Sequence, residues 1–243
     1  MSRNEIIHGD CLEVLRSLPY AKMIFADPPD NMGLKYKGFT DKWPSKDQYL
    51  NWLVETTRAA LGKCDIFWLS YYFKWDFDLK VRLGNNLPFT LPSIDIKPYI
   101  WWYTFGQHNK HDNGSCFRPM LRFKDKDAKI YPDAIREPSA RLRQGDKRAN
   151  PDGKGPGDVW DGVWEESRVC GSFKEKKKWH LNQHPEALIE RMVTMSCVKG
   201  DLVIDLFAGT GTVNRVCKKL GIDCIGIEIS EYYCNEIEKE NKP

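Results

Sequence analysis

The residues with the clearest chemical potential stand where an apolar run meets a carboxylate and two prolines. Residues 24–26 are Ile, Phe and Ala, and they lead directly into Asp27, Pro28, Pro29 and Asp30. This pattern predicts a buried strand that ends abruptly, because proline cannot donate a ladder hydrogen bond and stiffens the loop that follows. Open α/β sheets bind ligands at the carboxyl ends of their strands. A carboxylate beside a fixed proline carbonyl suits a planar amino group, since the two acceptors can bind its two hydrogens.

A second segment, near the other end of the chain, has the composition of a turn that binds a cofactor. Residues 203–207 are apolar apart from Asp205, and the turn after them contains Gly209 and Gly211. Small residues let the backbone approach a ligand closely at the start of a helix. Asn214 stands where the dinucleotide fingerprint has its third glycine, which argues against a nicotinamide cofactor. Taken alone, the two glycines are equally consistent with a tight turn.

A carboxylate one βαβ unit later favours a cofactor that contains a nucleoside. Residues 225–227 are Ile, Gly and Ile, and Glu228 follows them. A carboxylate at the carboxyl end of a strand can accept hydrogen bonds from both ribose hydroxyls. The alternative is a solvated glutamate at the end of a loop. The glycine turn and this glutamate together indicate the nucleoside-bearing cofactor.

The elements that must position these residues alternate along the chain. Apolar runs predict strands at residues 5–7, 22–26, 65–70, 94–103, 120–123, 202–207 and 224–229. Helical spacing and capping residues predict helices at 11–18, 45–61, 72–83, 185–197, 212–220 and 231–240. Residues 31–43 have no period and are predicted to form a loop. Alternation of this kind predicts an α/β fold with a doubly wound, mostly parallel sheet.

The segment from residue 105 to residue 170 differs in composition from the rest of the chain. Gly, Pro, Asp, Lys and Arg dominate it, which predicts a small loop-rich insert on the main sheet. Its arginines form either a solvated basic face or a region that contacts phosphate. On the second interpretation Arg118, Arg141 and Arg143 are candidate substrate-binding residues. An arginine cluster would bind a polynucleotide or a mononucleotide equally well.

The whole chain limits the remaining function classes. Its 243 residues and 41% hydrophobic content suit one large domain, and a net charge of +3 permits a nucleic-acid partner without requiring one. The eight cysteines include no CxxC pair, so neither a zinc ribbon nor a thioredoxin motif is expected, and no metal site is predicted. With no signal peptide and no long apolar span visible, we expect free thiols in the cytoplasm and no membrane association.

The ordered motifs resemble the amino-directed DNA methyltransferases, which modify adenine N6 or cytosine N4. The similar segments are IHGDC at 7–11, ADPP at 26–29, PGDVW at 156–160, QHPEAL at 183–188, DLFAGTGT at 205–212 and IGIEIS at 225–230. The catalytic motif precedes the cofactor glycines, as in the permuted group of that family. The resemblance implies a Rossmann-like class I methyltransferase fold. Residues 1–104 would be its catalytic half, 105–170 a target-recognition-like insert, and 171–243 its half that binds S-adenosylmethionine.

The resemblance implies roles for individual residues around S-adenosylmethionine. The glycine turn would surround the cofactor, Glu228 would bind its ribose, Asp10 would lie near its adenine and His184 would help to close over its methionine part. The candidate cofactor-binding residues are Asp10, Cys11, His184, Pro185, Asp205, Phe207, Ala208, Gly209, Thr210, Gly211, Thr212, Glu228 and Ile229.

The same resemblance makes Asp27 the catalytic carboxylate. The lone pair of an exocyclic amine is delocalised into the aromatic ring, so the amine is a poor nucleophile. Hydrogen bonds to Asp27 and to the Pro28 carbonyl favour a geometry that frees this lone pair for an in-line displacement. A leading Asp rather than Ser is more typical, in the family, of adenine than of cytosine. Methyl transfer to adenine N6 in DNA is therefore the leading hypothesis, with Asp27, Pro28, Pro29 and Asp30 as catalytic candidates.

Asp30 departs from the family pattern, which has an aromatic residue that stacks on the flipped base. Stacking contributes about 1–3 kcal/mol per base, and a carboxylate cannot supply it. Another aromatic residue takes this role (Tyr36, Phe39 or Trp43), or the substrate is a free adenine nucleotide or an RNA base, or catalysis is lost and only binding is kept. The recognition sequence and the oligomeric state stay open, with a homodimer as the candidate because members of the permuted group often pair.

Overall fold

The structure is a computed structural model that describes residues 3–86, 93–103, 110–160 and 174–241. In these ranges the strands are β1 (Asn4–His8), β2 (Ala21–Ala26), β3 (Lys35–Tyr36), β4 (Phe39–Thr40), β5 (Cys64–Ser70), β6 (Ile94–Trp102), β7 (Phe117–Asp125), β8 (Val159–Trp160), β9 (Leu202–Asp205) and β10 (Asp223–Glu228). The α-helices are α1 (Cys11–Ser17), α2 (Lys46–Leu61), α3 (Asp76–Asn86), α4 (Ala140–Arg143), α5 (Glu186–Ser196), α6 (Thr212–Leu220) and α7 (Glu231–Asn241). Phe73–Trp75 and Pro132–Ile135 form short 3-10 helices.

The main sheet has eight strands in the order β1-β10-β9-β2-β5-β7-β6-β8. From β1 to β5 in this order, all neighbouring strands are parallel, so their carboxyl ends lie at one edge. The next strand, β7, is antiparallel to β5, and β6 is antiparallel to β7. The amino end of β7 therefore lies at the edge where the parallel strands end. Ligands of open α/β sheets bind at this edge.

Helices cover both faces of the sheet, which confirms the predicted doubly wound α/β fold. Successive side chains of a strand point to opposite faces, and β2 shows this pattern. Ile24 packs in a cluster with Leu15 of α1 and Leu53 of α2, whereas Met23 packs in a second cluster with Met192 of α5. A strand buried on both faces reads as a continuous apolar run, because it has no wet side.

Several elements differ from the prediction: the helix expected at 72–83 is α3, which begins at Asp76, the strand expected at 202–207 ends at Asp205, and β8 and α4 were not predicted. Two further differences concern β7 and residues 35–40. β7 has nine residues where four were expected. Its Arg and Pro residues interrupt the apolar pattern that predicts a strand, and the strand forms because β5 and β6 pair with it on both sides. It falls within residues 105–170, so the predicted insert contributes a strand to the interior of the main sheet. Residues 35–40, expected to be loop, form the β3–β4 hairpin, in which Gly38 takes a left-handed conformation with φ of 79°. None of the described helices is long and apolar enough to cross a membrane.

Candidate active site

The chemically active segments meet at the carboxyl edge of the parallel strands, around a cavity of about 850 Å³. Asp27 directly follows β2, β9 and β10 end at Asp205 and Glu228, and the turn after β1 contributes Asp10. The predicted residues that line this cavity are Asp10, Cys11, Asp27, Pro28, Pro29, Asp30, Tyr36, Arg118, His184, Asp205, Phe207, Ala208, Gly209, Thr210, Thr212, Glu228 and Ile229. Both halves of the chain therefore share one cleft.

Glu228 joins the glycine turn after β9 to the loop after β10. Its Oε2 atom accepts a hydrogen bond from the Gly209 amide at 2.9 Å, and its Oε1 atom accepts one from the Ser230 amide at 2.9 Å. Burial raises the pKa of Glu228. Each carboxylate oxygen keeps a further lone pair, so the side chain is held in place and can still accept hydrogen bonds from a ligand.

Asp10 forms the amino-terminal cap of α1. Its Oδ1 atom accepts hydrogen bonds from the amides of Leu12 and Glu13, at 2.9 and 3.2 Å. The residue before it, Gly9, donates its amide to the carbonyl of Glu228 at 2.9 Å, which joins the ends of β1 and β10. A capping role accounts for an aspartate at this position by itself. The predicted contact with adenine remains a prediction that the cavity-lining position permits.

Asp205 is a buried carboxyl group at the end of β9. Its Oδ1 atom accepts the Phe207 amide at 3.1 Å, and the side chain is only 2% exposed. Burial raises the pKa of Asp205 to about 8, and the carboxylates of Asp27 and Glu228 add to this effect. The free protein therefore carries a neutral carboxylic acid at this position at neutral pH.

Substituting Asp205 by asparagine is expected to remove a pH dependence of stability. The folded pKa of about 8 lies above the unfolded value, so the stability that this group contributes is fully present below about pH 4 and is lost as pH rises toward 8. Asparagine keeps an acceptor for Phe207 without this loss. We expect the variant to gain about 1 kcal/mol or more over wild type at pH 8.5, and nothing at pH 4. Urea unfolding without cofactor at both pH values measures this, and parallel pH profiles would contradict it.

Pro185 and Gly211, predicted to bind the cofactor, are absent from the described lining of the cavity. Pro185 is the residue before α5, and its carbonyl accepts the Ile189 amide. Gly211 precedes α6 with φ of 71°, and a Cβ atom there would lie 2.8 Å from Cγ2 of Ile237 in α7. Glycine at residue 211 thus allows α7 to pack closely against the turn. A sequence motif does not show this contact.

The loop that carries Asp27 is fixed by buried aromatic donors. The Tyr49 hydroxyl donates to the Pro29 carbonyl at 2.8 Å, and the Trp75 indole nitrogen donates to the Asp30 carbonyl at 2.8 Å. The Pro28 carbonyl accepts no hydrogen bond from any part of the chain that the structure describes. The loop is therefore rigid, and the one carbonyl predicted to bind an amine is left available for it.

Arg118 lies between the two carboxylates of this loop. Its Nη2 atom is 2.7 Å from Oδ1 of Asp27 and 2.8 Å from Oδ1 of Asp30. Its Nε atom also donates to Oδ1 of Asp27, at 3.1 Å, and its Nη1 atom donates to Oδ2 of Asp30 at 3.0 Å. On one of the two interpretations of the sequence, Arg118 contacts phosphate as part of a basic insert. The structure instead occupies its guanidinium with two acids, because antiparallel pairing of β7 with β5 brings Phe117 and Arg118 to the active edge.

The charge state of this cluster follows from its contacts. Burial opposes ionisation of Asp27, but the Arg118 guanidinium, with His184 and the Ser70 hydroxyl, outweighs burial and lowers the pKa of Asp27 below its ordinary value. Burial also disfavours the charge on Arg118, but Asp27 and Asp30 raise its pKa well above the ordinary range. Two carboxylates and one guanidinium therefore leave the cluster with a formal negative charge.

His184 lies on the other side of Asp27. Its Nδ1 atom is 3.4 Å from Oδ2 of Asp27, and its Nε2 atom is 3.5 Å from the Ser70 hydroxyl. The ring packs edge-on against Phe25, with centroids 5.7 Å apart, and lies 5.3 Å from the ring of Trp101. Burial lowers the pKa of His184, so the ring is neutral at neutral pH. His184 thus lines the cavity beside Asp27, and its predicted role in closing over the methionine part of the cofactor stays a prediction.

Arg141 and Arg143 lie away from the cavity. Both are exposed on the four-residue helix α4, and neither lines the cleft. The predicted arginine cluster is therefore dispersed in the fold: Arg118 enters the site, whereas Arg122 is buried beside Tyr99 at 3.1 Å. A contact of Arg141 and Arg143 with phosphate stays a prediction for the outer surface.

The aromatic residues proposed to replace the missing stack occupy different positions. Tyr36 lines the cavity, and its hydroxyl accepts a hydrogen bond from Nδ2 of Asn182 at 3.1 Å. Phe39 also lines the cavity, across the β3–β4 turn. Trp43 lines the cavity as well, and its ring packs against Trp52 with centroids 4.8 Å apart. All three aromatic residues thus border the cavity, and which of them stacks on a base stays a prediction.

Several residues of the site were not found from the sequence. Ser70 ends β5 beside the catalytic loop, and its position at the end of a predicted strand was a signal that could have identified it. His180 packs 5.6 Å from the Tyr36 ring, and burial lowers the pKa of His180 to about 4. Tyr72 and Phe73, which follow β5, also line the cavity. Nothing in the local pattern around His180 marks it, because it reaches the site through an irregular segment.

Known proteins share both the sequence and the fold of this chain. Residues 21–239 match the sequence profile of a family described as DNA methylase. The chain is 34% identical to the DNA adenine methyltransferase YhdJ of Escherichia coli (strain K12), across 94% of this chain and 79% of that protein. It is 37% identical to the type II methyltransferase M2.DpnII of Streptococcus pneumoniae, across 98% of this chain and 90% of that protein.

Two solved structures share the fold at low sequence identity. The PvuII DNA methyltransferase (cytosine-N4-specific) aligns with a TM-score of 0.72 and 15% identity, over 100% of this chain and 88% of that one. The M1.HpyAVI–SAM complex aligns with a TM-score of 0.61 and 19% identity, over 97% of this chain and 98% of that one. These likenesses confirm the class I methyltransferase fold.

Proposed function

The chain belongs to the DNA methylase family, and from this premise we propose that it transfers a methyl group from S-adenosylmethionine to the N6 amine of adenine in DNA. One observation carries the proposal. The carboxylate of Asp27 and the unoccupied carbonyl of Pro28 line the same cavity as the glycine turn and Glu228. Adenine is favoured over cytosine because the motif begins with Asp and because YhdJ is named an adenine methyltransferase.

The residues of the cleft fit S-adenosylmethionine. Its ribose hydroxyls need acceptors, which the fixed Glu228 carboxylate supplies, and its adenine ring needs an apolar surface, which Phe207 and Ile229 contribute. A cavity of about 850 Å³ is within the range of small-molecule sites. When bound, S-adenosylmethionine supplies an electrophilic methyl group on a positively charged sulfur.

The chain's own residues prepare the amine. Asp27 and the Pro28 carbonyl would each accept one of its hydrogens, which fixes the nitrogen and directs its lone pair away from the ring. The nitrogen becomes positive as it forms the new bond to carbon. The negatively charged Asp27–Asp30–Arg118 cluster stabilises this developing charge, since it is fixed before the reaction and weakly screened.

The competing mononucleotide hypothesis came from Asp30, which stands where a stacking aromatic residue is usual, and from the modest length of the insert. A free nucleotide would need a cation for its phosphate, and Arg118, the predicted arginine that lines the cleft, donates to Asp27, Asp30 and Ser70 instead. Donors already engaged by two carboxylates offer little to a phosphate, which would also be repelled by them. DNA is preferred because the family description and the names of the similar proteins specify it.

A parallel substrate assay tests the proposal. The enzyme is incubated with methyl-labelled S-adenosylmethionine and duplex DNA, AMP or dAMP, and the products are hydrolysed to nucleosides and identified by mass spectrometry. We expect N6-methyladenine from DNA and at most a trace from either mononucleotide. Methylation of the mononucleotides alone would identify the other substrate class, and no product from any of them at high enzyme concentration would indicate that catalysis is lost.

Two further expectations belong to this proposal. Members of the permuted group often pair, so we propose a homodimer, which light scattering coupled to size-exclusion chromatography measures directly. Free thiols support a cytoplasmic location: Cys64, Cys197 and Cys224 are buried and unpaired. A membrane-bound or exported pool in cell fractionation would contradict that location.

A further inference from the structure

Arg118 binds its two carboxylates in different ways. The contact with Asp30 is bidentate, because Nη1 and Nη2 each bind a separate carboxylate oxygen, at 3.0 and 2.8 Å. Asp27 receives both of its contacts, from Nε and Nη2, on the single oxygen Oδ1, at 3.1 and 2.7 Å. Among the described residues, the contact of its second oxygen, Oδ2, is with the Nδ1 atom of His184 at 3.4 Å. The bidentate geometry, which is the stronger one, thus belongs to Asp30, and Asp27 keeps an oxygen that faces no cation.

The surroundings hold this arrangement. Met120 of β7 pairs in register with Ser70 of β5, which sets Arg118 two residues further along, level with the catalytic loop. The Arg118 Nε atom also donates to the Ser70 hydroxyl at 2.8 Å, and the backbone of Asp30 is fixed by Trp75. The three charged side chains are 15–22% exposed, so their interaction exceeds that of a surface ion pair.

The charge balance explains why two acids are needed. The reacting amine gains positive charge in the transition state, so it needs a negative charge nearby. A guanidinium paired with Asp27 alone would neutralise the negative charge of that carboxylate. A second carboxylate on the same guanidinium returns the cluster to a net negative charge. Preorganised charge of this sign lowers the barrier in a weakly screened site.

We propose that Asp30 is a positioning residue that takes the bidentate contact with Arg118, so that Arg118 orients Asp27 without neutralising it. Asp30 and Arg118 then act as one unit, which accounts for a carboxylate where an aromatic residue is usual. The inference rests on the proposed methyl transfer and adds a reason for this chain's departure from the family pattern.

The test compares single and double variants in methyl transfer to duplex DNA. In Asp30→Asn, Arg118 has only Asp27 to neutralise, so we expect kcat to fall at least about tenfold with the KM for the cofactor unchanged. Removing the unpaired cation as well, in Asp30→Asn/Arg118→Gln, is expected to restore kcat at least about threefold over Asp30→Asn. Asp30→Glu, which keeps the charge, is expected to stay above Asp30→Asn. Losses that simply add in the double variant would overturn the proposal.

Asp30→Tyr distinguishes this mechanism from a missing stack. If stacking limits the reaction, installing the family's aromatic residue raises activity on duplex DNA. We expect a loss similar to that of Asp30→Asn instead, because tyrosine leaves Arg118 without its second acid. Higher activity of Asp30→Tyr than wild type would contradict the proposal.

The matched control is Asp146→Asn. Asp146 is likewise bound by an arginine through two contacts, Arg148 Nε at 3.0 Å and Nη2 at 2.9 Å, but the pair lies on the surface away from the cavity. We expect its kcat and thermal unfolding to match wild type. A loss as large as that of Asp30→Asn would mean that any broken ion pair lowers activity.

A second readout does not need methyl transfer. Carboxyl-carbon NMR reports the pKa of Asp27 in wild type, in Asp30→Asn and in the double variant. We expect the Asp27 pKa to fall in Asp30→Asn, where the cation acts on it alone, and to rise above wild type when Arg118 is removed as well. If the pKa of Asp27 is the same in wild type, in Asp30→Asn and in the double variant, the inference is overturned even if DNA is a good substrate. Conversely, inactive wild type with the expected NMR shifts would refute the proposed function and leave the charge coupling intact.

Discussion

Asp27→Ala is expected to lower the rate of methyl transfer to DNA by about 10²-fold or more while S-adenosylmethionine still binds. In the described part of the chain, arginine contacts both oxygens of Asp30 but leaves Oδ2 of Asp27 uncontacted, so Asp27 is the group available to the amine. Loss of a preorganised group that stabilises transition-state charge typically costs about 10²–10³-fold in kcat. Arg118 keeps Asp30 as a partner, so the fold should tolerate the change. Single-turnover kinetics with duplex DNA, and calorimetric titration with the cofactor, measure the two effects.

Two variants accompany this measurement. Asp27→Asn keeps the size of the side chain and removes only its charge, and we expect it to lose most of the rate as well. Asp65→Ala is the control, because Asp65 pairs with Lys22 at 3.0 Å at the opposite end of the sheet. Cofactor binding that disappears together with turnover in Asp27→Ala would show that Asp27 also contacts the cofactor. A rate near that of wild type would remove Asp27 from the mechanism.

Glu228→Ala is expected to weaken S-adenosylmethionine binding by at least about tenfold. Hydrogen bonds to a charged group are worth about 1.5–3 kcal/mol each, and the proposal assigns ribose hydroxyls to this carboxylate. The substitution also frees the amides of Gly209 and Ser230, which Glu228 now holds at 2.9 Å. Affinity is lost both through the missing acceptor and through a looser turn. Isothermal titration of the free protein gives the dissociation constant directly.

The controls for Glu228 separate binding from folding. Glu228→Gln keeps an acceptor oxygen and is expected to lose less affinity than Glu228→Ala, and thermal unfolding identifies any variant that is merely unstable. Glu231→Ala changes an exposed glutamate three residues away, in the first turn of α7, and should bind as wild type does. Unchanged affinity in a folded Glu228→Ala protein would place the cofactor elsewhere.

Much of the site could be predicted because its residues follow strands directly. Asp27 and Glu228 each stand at the end of an apolar run, and parallel strands bring their carboxyl ends to one edge. Asp205 lies inside a predicted strand over 202–207, and the structure ends that strand at Asp205. Helix α6 was predicted with the bounds that the structure has, since Gly221 stops it in a left-handed conformation with φ of 69°. These features depend on residues that are close together in the chain, so the sequence alone can predict them.

Other features depended on contacts between distant residues. The ion pairs of Arg118 join it to residues 88 and 91 positions away, and they exist only because β7 pairs antiparallel with β5. The hydrogen bond from Asn182 to Tyr36 spans 146 positions. Gly211 fitted a cofactor motif, and only the packing of α7 against it revealed its other role.

The order of motifs along the chain determined by itself the doubly wound fold and the amine-directed chemistry, because strand periodicity and strand-end residues are short-range properties. The tertiary structure alone decided that Asp30 faces a guanidinium, since the charge next to a side chain depends on which strands become neighbours. The sequence therefore does not indicate the role of Asp30. The proposed role follows from the sheet, which places Arg118 between Asp27 and Asp30.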